Sequence, residues 1–336
     1  MSLGEAPARV LGALRAGGPR SGEALSALLG VSRSQVWKHV EALRARGYGI
    51  EGEPGDGYRL VSTPDRLYPE EIHHGLATRW LARRIEWLEE TDSTNRVAQD
   101  LARAGVPHGT TVVAEGQTAG RGRLGRRFFS PPGLNLYTSI VLRPALDTAS
   151  APTLILAAAV AVAAAVATIV DDPAAVEIKW PNDVLLGGLK TSGILMEMGA
   201  EATRVAHLVL GIGVNLNVPR EDFPEEFREV ATSLSSHLGR PVDRVAFARR
   251  LYGTLEEVLD LHAARGFEAV RPRFEARFRM PGRRLRVLQV GGGELAGTCL
   301  GIDDDGALRL RRDDGGIARV VAGDVTIAKE PARSPR

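Results

Sequence analysis

The chain has 336 residues, of which 44% are hydrophobic and 25% are charged, and its formal net charge at pH 7 is +2. The length predicts two or three domains, and the composition predicts a folded globular protein and excludes global disorder. The near-neutral charge excludes binding to nucleic acid or membrane by bulk electrostatics, so any nucleic-acid contact must be local. A single cysteine, Cys299, excludes an intrachain disulfide, and no export signal is visible, so we expect a cytoplasmic protein.

Residues 1–62 carry three short helical patterns followed by a hairpin pattern. Ser21 is the predicted N-cap of the second helix, and a turn at residues 30–32 separates it from a third helix that begins at Arg33. Two short apolar runs then flank a turn at residues 54–57, which predicts a hairpin. Because a hairpin after a helix-turn-helix is typical of a winged helix, we predict a winged helix-turn-helix DNA-binding domain over residues 1–62.

The third helix exposes donor-rich side chains of the kind that contact base edges and phosphates in a major groove. Together with Ser21 and Ser32, which precede the second and third helical patterns, these side chains give the candidate DNA-binding residues Ser21, Ser32, Arg33, Ser34, Gln35, Trp37, Lys38 and His39. Three short helices also occur in many domains that never contact DNA, and the basic excess in this region is small. A regulatory or dimerising cap is therefore the alternative interpretation.

Residues 63–75 contain prolines and no apolar period, which predicts a linker. A strand pattern at residues 84–88 then precedes Ser93, Thr94 and Asn95, which stand at the start of a helical pattern. Helix capping would explain one of these three polar side chains and leave the others for ligand binding.

Residues 116–143 begin with a glycine- and arginine-rich loop that connects strand patterns at residues 110–115 and 135–142. The two residue types alternate along the loop as Gly120, Arg121, Gly122, Arg123, Gly125, Arg126 and Arg127. Glycine lets backbone N–H groups approach a ligand and arginine pairs with carboxylate or phosphate, so the pattern predicts a mobile loop that closes over an anion. Since no fixed-spacing phosphate motif occurs, a solvated basic loop and a nucleic-acid contact are the alternatives.

Residues 153–170 contain no charge over 18 positions, which is near the minimum length for a membrane span. The segment is mostly alanine, which contributes little transfer free energy, and it ends abruptly at Asp171-Asp172-Pro173. These features favour a helix buried inside an α/β domain over a membrane helix, so we expect no membrane association.

Further strand patterns occupy residues 176–180, 193–198 and 208–217. Polar side chains cluster at the predicted strand ends: Lys179, Asn182, Asp183 and Lys190. A lone lysine beside a turn is usually solvated, yet acid, amide and lysine gathered at one sheet edge commonly build a site. We predict an α+β fold, with a mixed sheet covered by helices on one face over residues 76–280 and a small barrel of four or five strands over residues 281–330.

Four motifs resemble the biotin protein ligases, in the form that doubles as biotin operon repressor. They are DSTN at residues 92–95, GQTAGRGRLGRRFFSPPGLNLYTSIVLRP at 116–144, KWPNDVLLGGLKTSGILMEM at 179–198 and GIGVNLN at 211–217. The resemblance covers nearly the whole chain, and it implies a class II synthetase-like central domain and an SH3-like C-terminal domain.

The resemblance implies a two-step reaction with biotin and ATP as substrates, Mg²⁺ as companion ion and no tightly bound prosthetic group. Biotin and ATP would give biotinyl-5′-AMP and pyrophosphate, and one lysine of a biotin carboxyl carrier protein, an acetyl-CoA carboxylase subunit, would then accept the biotin. The adenylate would also promote a homodimer that binds operator DNA.

The resemblance assigns roles by position. The catalytic set would be Lys190, Arg123, Arg121 and Asp183, with Asp183 also a candidate Mg²⁺ ligand. The biotin-binding set would be Ser93, Thr94, Asn95, Gln117, Gly120, Arg121, Gly122, Arg123, Lys190, Gly193 and Leu195. The nucleotide-binding set would be Arg123, Arg126, Phe128, Asn182, Lys190 and Asn215.

Two positions depart from the family pattern. Leu124 stands where many members have another arginine, and Phe128 stands where tryptophan is frequent, so the loop has one positive charge fewer and a smaller ring to stack. The alternative function is a repressor that senses a small ligand without turning it over; intact Lys190, Arg121 and Arg123 favour the enzyme.

Overall fold

The computed structural model describes residues 3–52, 57–201, 204–289 and 292–327. The chain divides into two compact units, Met1–His74 and Gly75–Arg336. Within the described residues, no helix is both long enough and apolar enough to cross a membrane.

The first unit contains the predicted helix-turn-helix. Its elements are α1 (Glu5–Arg15), α2 (Gly22–Leu29), α3 (Arg33–Ala45), β1 (Gly49–Glu51), β2 (Arg59–Ser62) and α4 (Pro69–His73). Ser21 caps α2 by accepting a hydrogen bond from the Ala24 backbone N–H, and Gly30 ends the helix with φ of 67°. β1 and β2 pair antiparallel, which confirms the hairpin, while residues 53–56 of its predicted turn lie outside the described part of the chain.

Part of the predicted linker forms the helix α4 (Pro69–His73), which belongs to the first unit. Glu71 of α4 is buried, and it accepts hydrogen bonds from Arg15 and from the Tyr48 hydroxyl at 2.5 Å. Burial and this hydrogen bond raise the pKa of Tyr48 above its usual range. The linker prediction missed these contacts because they join residues more than 20 positions apart.

The second unit is built on a seven-stranded mixed sheet. The strands are β3 (Ile85–Thr91), β4 (Thr111–Gln117), β5 (Leu136–Leu142), β6 (Val176–Lys179), β7 (Asp183–Leu186), β8 (Leu189–Glu201) and β9 (Arg204–Val214), in the order β3-β4-β5-β9-β8-β7-β6. Only the β3–β4 pair is parallel among these neighbours. The predicted α+β fold with a mixed central sheet is confirmed.

Helices cover both faces of this sheet. They are α5 (Thr94–Arg103), α6 (Thr153–Ala167), α7 (Glu225–Arg228), α8 (Leu234–Leu238) and α9 (Arg244–Glu275). On β5, Ser139 contacts Asn95 of α5, whereas its neighbour Thr138 contacts Tyr252 of α9. Because consecutive strand residues point to opposite faces, α5 and α9 lie on opposite sides. The expectation of helices on one face is corrected in this respect: α9 and its partner α6 share one face, and α5 covers the other.

The alanine-rich helix α6 is buried along most of its length, as predicted. It packs against α9, and a hydrogen bond of 2.8 Å between the Thr153 hydroxyl and His262 Nε2 joins the two helices. Small alanine side chains allow this close helix-to-helix approach, so the charge-free run is explained by protein contacts.

The C-terminal strands form an antiparallel sheet, which confirms the predicted strand-rich tail. They are β10 (Arg284–Gln289), β11 (Glu294–Ile302), β12 (Leu308–Arg311), β13 (Ile317–Val320) and β14 (Gly323–Ile327), in the order β13-β12-β11-β10-β14. Residues 290–291 and 328–330 of the predicted domain lie outside the part of the chain that the structure describes. Aspartates in its turns pair with arginines, as Asp313 does with Arg284 at 2.6 Å.

Candidate active site and nucleic-acid interface

A cavity of about 800 Å³ lies in the second unit, where the arginine loop, the start of α5 and the ends of the central strands meet. Most predicted site residues line it: Ser93, Thr94, Asn95, Gln117, Arg121, Gly122, Arg123, Arg126, Phe128, Asn182, Asp183, Lys190, Gly193 and Leu195. These residues are separated by up to 102 positions in sequence, so only the tertiary fold brings them together.

Glycines form the floor of the cavity. In the sheet register, Leu195 of β8, Gly211 of β9 and Ser139 of β5 stand side by side, and a Cβ at Gly211 would lie 2.0 Å from Asn95 Oδ1. Two residues along β9, a Cβ at Gly213 would lie 2.6 Å from Phe128 Cε1. Since real Cβ atoms do not approach so closely, these two glycines are required for Asn95 and Phe128 to reach the sheet.

The polar end of the cavity is a hydrogen-bonded cluster at the start of α5. Gln117 Oε1 accepts hydrogen bonds from the backbone N–H of Thr94 at 2.8 Å and from its hydroxyl at 3.1 Å, while Gln117 Nε2 donates to Ser130 Oγ at 3.1 Å. Ser93 is the N-cap residue of α5, yet its side chain makes no capping hydrogen bond. Helix capping therefore does not occupy the Ser93 hydroxyl, which faces the cavity.

The charged end of the cavity holds two cations beside polar oxygens. Lys190 Nζ lies 2.7 Å from Asp183 Oδ1, and Arg123 Nη1 donates to Asn182 Oδ1 at 3.2 Å. The side chain of Lys190 retains 36% of its exposure, so it remains accessible to a ligand. Burial lowers the pKa of Arg123, and the negative charge of Asp183 opposes this shift.

The arginine loop is compact in this structure. The Gly122 N–H donates to the Arg126 carbonyl at 2.7 Å, the Phe128 N–H donates to the Gly120 carbonyl at 2.9 Å, and Arg126 pairs with Asp324 of β14. Leu124, the first of the two departures from the family pattern, is half exposed and adopts a φ of 54°. Closure of the loop upon ligand binding stays a prediction.

Two predicted residues do not line the cavity. Gly120 packs within the loop, where a Cβ would be 2.5 Å from the Phe128 carbonyl oxygen, and it does not line the cavity. Asn215 is buried, and its side-chain amide donates to the Thr232 carbonyl at 3.2 Å. This hydrogen bond gives Asn215 a role in the framework of the second unit, and its contact with the nucleotide stays a prediction.

Several residues of the cavity escaped the sequence analysis. Gly211 and Gly213 belong to a quoted motif but received no role, although glycine at alternate positions of an apolar strand signals close approach by another group. Asp324 and Phe227 also line the cavity, from β14 and α7. Nothing in their local sequence marks them, because their position depends on long-range packing.

The predicted DNA-binding residues lie on and before α3. Ser32 and Gln35 form a capping box, and Arg33 pairs with Glu23 at 2.7 Å, so part of this set also stabilises the helix. Trp37 and Lys38 are exposed, and Trp37 is 45% exposed. Both side chains are therefore accessible to a binding partner.

Three family models match this chain. They are the biotin/lipoate A/B protein ligase family at residues 87–215, an HTH domain at 9–59 and the biotin protein ligase C-terminal domain at 282–327. The bifunctional ligase/repressor BirA of Bacillus subtilis is 38% identical over 309 residues, which cover 91% of this chain and 93% of that protein. This chain belongs to the biotin protein ligase family. The predicted resemblance is thus confirmed.

Other members of the biotin protein ligase family extend the match. BirA of Escherichia coli, also named a bifunctional ligase/repressor, is 32% identical over 96% of this chain and 97% of its own. Among solved structures, a biotin protein ligase from Aquifex aeolicus in complex with biotin and ATP is similar, with a TM-score of 0.62 and 29% identity over 74% of this chain and all of that one. The two BirA proteins therefore match more than nine-tenths of this chain, and the Aquifex structure matches about three-quarters of it.

Proposed function

We propose that this protein attaches biotin to a lysine of a biotin carrier protein, using ATP, and that its N-terminal unit represses transcription in response to biotin. The observation that carries the ligase function is the single cavity in which a polar cluster at the start of α5 faces Lys190, Arg123 and Asp183. A volume of about 800 Å³ lies within the range typical of small-molecule sites, and it suits a ligand with one uncharged polar end and one anionic end.

In the first step, a carboxylate oxygen of biotin attacks the α-phosphorus of ATP, and pyrophosphate leaves. Two anions must approach each other, so fixed positive charge at the point of attack is the main requirement. Lys190 and Arg123 supply this charge at one end of the cavity, and Arg121 adds a third cation from the loop. Their donors would bind the carboxylate and the α-phosphate as negative charge develops.

In the second step, the amine of the carrier lysine attacks the acyl carbon of biotinyl-5′-AMP, the bond from that carbon to the phosphate oxygen breaks, and AMP leaves. The attacking amine must be uncharged and must lose a proton in the product. Asp183 would orient this amine once Lys190 turns to the phosphate; its carboxylate, 2.7 Å from Lys190 Nζ at the same end of the cavity, supports this role.

Magnesium would accompany ATP at this site. Among the described residues, no group of three or more histidine, cysteine, aspartate or glutamate side chains could hold a metal ion. Mg²⁺ usually needs only one or two protein carboxylates when phosphates supply further ligands. The Asp183 carboxylate and the Asn182 amide oxygen could supply these few protein ligands, and the ion would neutralise phosphate charge there.

The N-terminal unit would bind operator DNA through α3, with Trp37 and Lys38 as its exposed contacts. We also propose that the adenylate promotes a homodimer, since a two-fold dimer presents two recognition helices to a palindromic site. A cytoplasmic location is supported by the single, buried cysteine.

Mass measurement of a carrier domain tests the ligase function. The full chain is incubated with biotin, ATP, Mg²⁺ and the carrier domain, and the carrier should gain the mass of one biotinyl group. A chain that binds biotin and DNA but adds no mass to the carrier would be a sensor without turnover. For the DNA contact, Lys38→Ala should weaken operator binding and leave carrier biotinylation unchanged.

A further inference from the structure

The amide of Asn95 is held in one orientation by groups outside the cavity. Asn95 Nδ2 donates to Glu197 Oε2 at 2.8 Å, and Asn95 Oδ1 accepts a hydrogen bond from the Ser139 hydroxyl at 2.7 Å. An ionised carboxylate accepts hydrogen bonds and cannot donate them, so the atom of Asn95 that faces Glu197 must be the nitrogen. The charged partner therefore decides which way the amide points.

Gly211 leaves the space that this orientation needs. It stands between Leu195 and Ser139 in the sheet register, and Asn95 Oδ1 occupies the place a Cβ at Gly211 would require, 2.0 Å away. Leu195 adds its carbonyl oxygen at 3.4 Å from Asn95 Nδ2. Asn95 is itself 4% exposed, so its side chain cannot find an alternative arrangement in solvent.

Glu197 does not line the cavity. It lies on β8, half-buried, and it borders a separate surface pocket of about 340 Å³. Its effect on a ligand in the cavity must therefore pass through Asn95. With Nδ2 committed to Glu197 and Leu195, the free hydrogen-bonding capacity of Asn95 toward the cavity is the second lone pair of Oδ1.

We infer that Glu197 and Gly211 are positioning residues that fix Asn95 as a hydrogen-bond acceptor for a ring N–H of the bound biotin. This inference rests on the proposed function and adds two residues to its biotin-binding machinery. A ureido ring carries two N–H donors and one carbonyl acceptor, so an acceptor fixed by a charged partner distinguishes the two edges of the ring. A freely rotating amide would accept either edge.

Substitutions at positions 95 and 197 test the inference in the full chain, with biotin affinity measured by calorimetry. Glu197→Ala should weaken biotin binding about tenfold, the usual effect of losing a hydrogen bond to a charged group, and leave the KM for ATP unchanged. Glu197→Gln should keep most of the affinity, because its carbonyl oxygen can accept the same hydrogen bond. Met198→Ala is the matched control, since this exposed neighbour of Glu197 borders the same surface pocket but does not line the cavity.

A charge-swap pair separates positioning from general stability. Asn95→Asp should abolish detectable biotin binding, because it places a second carboxylate against Glu197. Combining Asn95→Asp with Glu197→Gln should restore much of the binding, since the glutamine can donate to the new carboxylate. Gly211→Ala should weaken binding in the same way by displacing Asn95, and melting curves check that each variant is folded.

The outcomes separate two failures. If the wild type forms no biotinyl-5′-AMP, the proposed function fails. If the wild type forms it while Glu197→Ala binds biotin with wild-type affinity, or the charge-swap pair shows no recovery over Asn95→Asp, the positioning role of Glu197 is wrong.

Discussion

The two faces of the central sheet differ in function: the face of α5 forms a cavity, and the face of α9 forms a buried core. On the face of α5, glycines at positions 211 and 213 leave depressions that Asn95 and Phe128 enter, and a cavity remains above them. On the face of α9, the sheet packs against buried side chains, and even the ion pair of Arg244 with Glu115, at 2.9 Å, is fully buried. The comparison teaches that a ligand site needs glycines on the sheet, which leave space, whereas a stable core needs larger side chains that occupy it.

The two faces also differ in the burial of their ion pairs, Arg244–Glu115 on the packed face and Lys190–Asp183 in the cavity. Glu115 also accepts a hydrogen bond from Trp87 Nε1 at 3.1 Å, and Arg244 donates to the Asn135 carbonyl at 3.3 Å. Lys190 and Asp183 have the same charges but remain partly exposed. The buried pair is therefore committed to the fold, and the exposed pair is free to exchange partners with a ligand.

The largest expected effect is on the cavity face. Lys190→Ala should lower the rate of adenylate formation by about 10²–10³-fold, because it removes a preorganised positive charge from the reacting phosphate. The melting temperature should change little, since Lys190 is a third exposed. Single-turnover kinetics with biotin and ATP measures the rate, and a variant that keeps the full rate would refute the role of Lys190.

The second effect is on the packed face and concerns stability. Arg244→Met should lower the free energy of unfolding by about 3–5 kcal/mol, because it removes the positive charge that compensates the buried Glu115 carboxylate. The double variant Arg244→Met, Glu115→Gln should recover part of this loss. Urea unfolding followed by fluorescence measures both, and activity per folded molecule should fall less than in Lys190→Ala.

An added methyl group on the cavity floor should produce a smaller change. Gly213→Ala should displace Phe128, whose ring lies where the new Cβ would stand, and raise the KM for ATP about tenfold if Phe128 contacts the nucleotide. Phe128→Ala should raise the same KM, and steady-state kinetics measures both variants. Equal KM values for ATP in the wild type and both variants would place the nucleotide elsewhere.

The smallest effect concerns pH and the α6–α9 contact. Burial lowers the pKa of His262, so this histidine is neutral in the folded state, while in the unfolded chain it titrates at its ordinary value near 6.5. Its contribution to stability is complete above that value and is lost as the pH falls toward the lowered folded value. Melting temperatures measured from pH 7.5 to 5 should fall less in His262→Asn than in the wild type, and the exposed His237→Asn should match the wild type.

Much of the cavity lining could be predicted from the sequence because its residues lie in short, dense motifs. The motifs predict Lys190, Asp183, Arg123 and the polar residues at the start of α5 as site residues, and all of them line the cavity. Asn215 is buried and donates to the Thr232 carbonyl outside the cavity lining, since a motif does not show which of its side chains point inward.

The sequence by itself determined the local elements: the capped helices of the N-terminal unit, the buried alanine-rich helix and the strand-rich tail, because each depends on periodicity and turn residues within a few positions. Only the tertiary structure decided that α5 faces away from α9 and that Glu197 holds Asn95 from 102 positions along the chain. These features depend on the strand register and on the space that a glycine leaves for a side chain from another element. No local sequence pattern encodes the register or that space.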